Sequence, residues 1–168
     1  MLYLDVDADL PFRPEVVWAQ LTNPETYELW FDGLREVEPM APIAPGSEVT
    51  LSLELGARAA RRLRKMSFDV TAFVTPKERP GLLAFEGRLV PEGLVLGSVR
   101  VTAKSSGTNL SLSLEIAQGH AIREMFDRPF GLLGSQREEG LRRSFERGLV
   151  SFRKALEARA ADPYRGRT

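Results

Sequence analysis

Residues 2–31 read LYLDVDADLPFRPEVVWAQLTNPETYELWF, and three elements are legible in them. Leu2, Leu4, Val6, Ala8 and Leu10 alternate with Tyr3, Asp5, Asp7 and Asp9. A period of two predicts a strand over 2–10 with one apolar and one solvated face. Pro14 suits the first position of a helix, which Val16, Val17, Ala19, Gln20 and Leu21 continue. Asn23-Pro24-Glu25 then supplies a cap, a helical proline and a first-turn acid. These open a second short helix through Tyr27, Leu29, Trp30 and Phe31, with Pro24 as the break between the two.

From residue 34 the pattern turns to β. A short strand over 34–38 runs into the proline-rich loop 39–45. Val49, Leu51, Leu53 and Leu55 alternate with Thr50, Ser52 and Glu54. After Gly56 the pattern resumes at Leu63, and Met66, Phe68, Val70, Ala72 and Val74 stand opposite Ser67, Asp69, Thr71 and Phe73. Further strands are predicted over 82–90, 94–104 and 108–117, divided by Pro91-Glu92-Gly93 and Ser105-Ser106-Gly107. Short turns of this kind imply antiparallel neighbours. The chain then turns helical over 135–161, where Leu141, Phe145, Leu149, Phe152 and Leu156 form one apolar stripe. Gly140 and Gly148 interrupt it, each costing about 1 kcal/mol in a helix interior, and are read as a close approach to the sheet or a bend. Asp162-Pro163 ends the helix. The expected organisation is one domain over 1–161 with a loose tail over 162–168.

Composition narrows the chemistry. In 168 residues there is no cysteine and one histidine, which excludes disulfides, thiolate metal sites and cysteine nucleophiles and argues against a Ser-His-Asp arrangement. No apolar run approaches the roughly 20 residues of a spanning helix, and the acidic start does not resemble a signal peptide; a cytoplasmic protein is expected. The 23 Lys and Arg balance 23 Asp and Glu, but unevenly. Residues 1–56 hold eleven acids against two bases, and 57–168 hold 21 bases against 12 acids, so the halves carry −9 and +9. Such asymmetry marks an interaction surface or two halves that face each other.

The order strand, two short helices, antiparallel strands and long terminal helix resembles the helix-grip fold of the START-related (SRPBCC) superfamily. That group includes polyketide cyclase/dehydrase-like proteins, pollen allergens and lipid-transfer domains. The likeness is carried by Pro11-Phe12-Arg13-Pro14-Glu15-Val16-Val17-Trp18, by Leu21-Thr22-Asn23-Pro24-Glu25 and by Trp30. It implies an α+β fold in which a curved antiparallel sheet wraps around the C-terminal helix, with a cavity between them. It also implies carriers, receptors or enzymes, because one fold hosts all three.

The candidate ligand-binding set follows from the apolar faces: Phe68, Val70, Phe85, Val99, Leu112, Leu114, Phe145, Leu149 and Phe152, with Tyr27 and Trp30 at the entrance. The same residues also suit a solid core. The leading expectation is binding of a small apolar or amphipathic ligand, with no cofactor and no metal. An enzyme of the cyclase or dehydratase type would need polar groups at the cavity, for which Arg100, Tyr27 and His120 are the candidates. A third reading is an interaction module built on the basic run Arg58, Arg61, Arg62, Arg64 and Lys65 and on segment 118–134, which reads as a lid, a dimer contact or a satellite core. Few aromatics interleave those bases, so no nucleic acid is expected; homodimerisation is left open. Asp5, Asp7 and Asp9 invite a metal, but carboxylates two apart on a strand sit about 7 Å apart and do not converge. They are read as a solvated face.

Overall fold

A computed structural model describes residues 2–31, 33–55, 62–77, 79–89, 93–117 and 134–161. Their order is β1 (Leu2–Leu10), α1 (Pro14–Thr22), a 3-10 turn (Pro24–Thr26), α2 (Tyr27–Trp30), β2 (Leu34–Glu38), β3 (Glu48–Leu55), β4 (Arg62–Val74), β5 (Gly81–Leu89), β6 (Leu94–Lys104), β7 (Gly107–Ala117) and α3 (Gly134–Ala161). The seven strands form an antiparallel sheet in the order β1-β7-β6-β5-β4-β3-β2, curled as a half-barrel against the helices. This is the helix-grip arrangement that the order of elements implies. Arg58, Arg61, His120, the segment 118–133 and the tail 162–168 lie outside the described residues.

From β2 to β7 each strand pairs with its neighbour in the chain, whereas β1 reaches across to β7 with Leu4 opposite Leu114 and Val6 opposite Leu112. The strands' apolar periods match there, so pairing puts both apolar rows on one face. Gly107 makes the turn that brings β7 back beside β1. Its φ is +142°, a value L side chains rarely adopt, and a Cβ there would collide with the Leu10 carbonyl.

The pairing also brings the acidic strand β1 against the second half of the chain. Ser113 Oγ donates to Asp5 at 2.5 Å, Asn109 Nδ2 donates to both Asp7 and Asp9 at 3.1 and 3.0 Å, and Lys104 sits 2.8 Å from Asp9. The acids of β1 are thus held by the basic half of the chain on a solvated strand face. At the other side of the sheet, the register sets Arg62–Lys65 alongside Ser52–Leu55 of the acidic half.

β1 and β2 are the edges. Arg142 of α3 donates Nη1 to the Asp5 carbonyl at 2.5 Å, so the helix satisfies part of the β1 edge. β2 is short, is irregular between Leu34 and Glu36, and carries exposed Arg35, Glu36 and Glu38. Brevity, charge and irregularity are devices that discourage edge-to-edge pairing.

One departure from the expected alternation lies in β4. A register shift between Val70 and Ala72 changes the parity of the strand's end. Phe73, expected on the polar side, therefore packs into the core and meets Trp18 edge-on at 5.2 Å. Leu63, of opposite parity to Met66, is exposed.

Candidate functional site

The concave face is assembled from alternate residues of successive strands. One row runs Leu4, Leu114, Gly97, Phe85 and Val70 across β1, β7, β6, β5 and β4. The next runs Val6, Leu112, Val99, Leu83 and Phe73. Gly97 is required by close approach, since a Cβ would strike the Phe85 ring and stand 2.8 Å from Leu114 Cδ2. Gly87 plays the same part for Phe68, whose Cβ would lie 2.9 Å away. These two glycines let Phe68 and Phe85 lie across the sheet with their rings 5.3 Å apart.

Burial across this face is uneven. One buried group contains Val17, Trp18, Leu21, Tyr27, Val99, Phe152 and Leu156, among others. A second, smaller group contains Leu4, Val6, Val95, Leu114 and Ile116. Met66, Phe85, Leu112 and Leu149 touch both groups yet are only half-buried. Phe145 is half-buried against the smaller one. Large apolar side chains that share the inward face yet keep part of their surface exposed make this end of the interior less enclosed than the other.

The helix α3 shows the same gradient. Phe152, Ala155 and Leu156 in its C-terminal half are buried, while Phe145 and Leu149 a turn or two earlier are not. The buried half is clamped by the short helices. Trp30 meets Phe152 edge-on at 4.9 Å and Tyr27 at 5.1 Å, and Gln20 Nε2 donates to the Phe152 carbonyl at 2.8 Å. The open half has no such clamp among the described residues.

Polar groups near this space are almost all committed. Tyr27 Oη donates to the Leu21 carbonyl at 2.6 Å, and burial pushes the phenol well above the ordinary tyrosine range. Thr26 Oγ1 lies 2.9 Å from the Gln20 carbonyl and accepts from Trp30 Nε1 at 3.3 Å. Thr108 donates to the Phe12 carbonyl. The exception is Gln20 Oε1, which is buried without a partner. Along β3 to β7 the concave positions with described burial carry apolar residues, glycines and Thr108, while Arg64, opposite Leu53, shares their parity at the start of β4.

Of the residues expected from sequence, the fold brings Phe68, Val70, Phe85, Val99, Leu112, Leu114, Phe145, Leu149 and Phe152 to the interior, with Tyr27 and Trp30 beside Phe152. Arg100 stands apart. It alternates with buried Val99 and Val101 and is exposed on the convex face opposite Ser111 and Leu82. Three residues escaped the sequence reading. Met66 shares the parity of Phe68 and was legible from it. Gln20 was not, because nothing in α1 separates a buried amide from a solvated one. Gly97 is visible only once Phe85 is placed across it.

Among the described residues, no three His, Cys, Asp or Glu side chains converge as metal ligands, and no helix is long and apolar enough to cross a membrane.

The sequence profile described as polyketide cyclase / dehydrase and lipid transport matches residues 1–157. The chain belongs to that family. Solved structures repeat its fold at low identity. CV1439 from Chromobacterium violaceum is 14% identical, covering 94% of this chain and 99% of its own, with a TM-score of 0.69. SA2116 from Staphylococcus aureus is 12% identical over 96% of each chain, with a TM-score of 0.72. TTHA0849 from Thermus thermophilus is 15% identical, covering 93% of this chain and 97% of its own, with a TM-score of 0.67. No curated protein matches the chain. At these identities the structures attest the helix-grip fold, and function has to be argued from the interior of this family member.

Proposed function

We propose that this family member binds a small apolar or amphipathic ligand between the concave face of the sheet and the N-terminal half of α3, within a single domain over residues 1–161. One observation carries the reading: Met66, Phe85, Leu112, Phe145 and Leu149 point into the interior but are only half-buried. A mostly apolar concavity with few polar groups is the ordinary form of a small-molecule site. The family description includes lipid transport, which agrees with an apolar cargo.

The lining favours binding over acid–base chemistry. General acid–base catalysis needs a titratable group within hydrogen-bond reach of the reacting atom. Around Met66, Phe85 and Leu112 the concave positions are apolar, Tyr27 is committed to a backbone carbonyl, Arg100 faces away, and Arg64 at the start of β4 is a permanent cation rather than an acid–base group. A charged group set against that apolar stretch would lack a counter-ion, and burying an unpaired charge is costly. The part of the ligand that meets this lining is therefore expected to be uncharged.

Fluorescence titration with the neutral probe N-phenyl-1-naphthylamine tests the reading. Saturable binding is expected, lost in Leu112→Trp, whose larger side chain fills the space. Absence of saturable binding, or binding unchanged in a folded Leu112→Trp protein, overturns it.

A further inference from the structure

Gly148 lies midway along α3, where glycine is among the poorest helix formers. Neither of the usual reasons for a glycine applies. Positive φ among the described glycines occurs at Gly33, Gly46 and Gly107 only, so the backbone does not demand it. Nor is there a close approach to the sheet, one of the two readings its sequence position suggested: among the described residues, a Cβ at residue 148 would meet nothing within 4 Å. Gly87 and Gly97 differ in kind, since a Cβ at either would collide with its neighbours.

Gly148 is half-exposed and sits beside the apolar stripe. With 3.6 residues per turn, it falls one turn after Phe145, next to Leu149 and one turn before Phe152. Phe145 and Leu149 are the two stripe residues that stay half-buried, whereas Phe152 and Leu156 beyond them are buried. The missing side chain thus coincides with the turn of α3 where the helix stops filling the interior.

We propose that Gly148 is the threshold of the ligand space: its lack of a side chain keeps a gap open between α3 and the sheet, and the size of the residue there sets what apolar molecule passes. This deepens the binding reading above and rests on it. A larger side chain projects from the helix into the gap and narrows it without touching the concave lining. An alanine adds one methyl in open space and relieves the poor helix propensity of glycine.

Stopped-flow mixing with N-phenyl-1-naphthylamine tests the proposal on Gly148→Ala, Gly148→Leu and Gly148→Phe, with Val150→Phe as a control because Val150 is exposed on the same helix. The alanine variant is expected to melt higher than the parent and to associate with the probe within twofold of its rate. The leucine and phenylalanine variants are expected to associate at least tenfold more slowly, while the Val150 variant matches the parent. Should Gly148→Phe fail to fold, Gly148→Leu carries the comparison. Unchanged association in a folded leucine variant, with the parent binding normally, overturns the threshold alone. A parent protein that does not bind the probe overturns the binding reading and this inference together.

Discussion

Replacing Gln20 by leucine should stabilise the protein, although it removes a hydrogen bond. Gln20 is 0% exposed. Its Nε2 donates to the Phe152 carbonyl at 2.8 Å, and its Oε1 has no partner. A hydrogen bond of this kind contributes about 1 kcal/mol net, because the unfolded chain bonds to water instead. A buried acceptor left unsatisfied costs about 1–3 kcal/mol. The Phe152 carbonyl lies inside α3, where helical backbone donors remain to it, so removing the amide does not orphan it. Leucine keeps most of the volume and adds favourable apolar transfer. The balance favours the variant by about 1 kcal/mol, which for a chain of this size raises Tm by roughly 2–4 °C. Gln20→Ala should go the other way, because it leaves a cavity between α1 and α3. Urea unfolding of the three proteins, read by circular dichroism at matched pH, measures both differences. A leucine variant less stable than the parent by more than about 1 kcal/mol would refute the reasoning, since it would mean that Oε1 is satisfied in solution.

Three further outcomes follow from the same geometry. Gly97→Ala drives a methyl into the Phe85 ring and should destabilise by about 1–3 kcal/mol in denaturant unfolding; a neutral result would show that the ring lies elsewhere. Phe152→Ala, removing a side chain that is 2% exposed and stacked edge-on with Trp30, should cost about 3–5 kcal/mol, whereas Phe145→Ala, half-buried, should cost clearly less by the same measurement. At alkaline pH the sign is set by Tyr27. Its folded pKa is raised, so it adds stability that is full below the unfolded value of about 10 and lost as pH rises further. Its phenolate absorbance should therefore appear only together with loss of near-ultraviolet circular dichroism, and ionisation in the still-folded protein would contradict the burial.

Much of this fold was legible because the chain writes its periods plainly. Leu110, Leu112 and Leu114 against Ser111 and Ser113 admit one buried face, and the stripe through Phe145, Leu149, Phe152 and Leu156 admits one buried side of α3. Phe73 shows where such reading stops: a one-residue shift in β4 is decided by pairing with β5, and no residue type announces it. The candidate site was legible as a set of inward side chains but not as a space. Phe152 and Leu149 are equally apolar and sit on the same stripe, yet one is buried and the other half-open, because only the first lies under Trp30 and Gln20. Gly148 was visible as an anomaly, and three-dimensional placement replaced a close approach with its opposite. The division of charge, −9 against +9 along the chain, is bridged at one described ion pair, Lys104 with Asp9, beside Asn109, which donates to Asp7 and Asp9.

Because the ligand is assigned to one place in the fold, a methyl NMR map of the protein titrated with N-phenyl-1-naphthylamine is the most direct measurement. Met66, Leu112 and Leu149 should shift progressively and saturably, while Leu10 and Leu156, buried in the filled part of the core, should stay still. Shifts confined to exposed Leu29, Leu63 or Leu96, or no shifts at all, would contradict an open space between the sheet and the N-terminal half of α3.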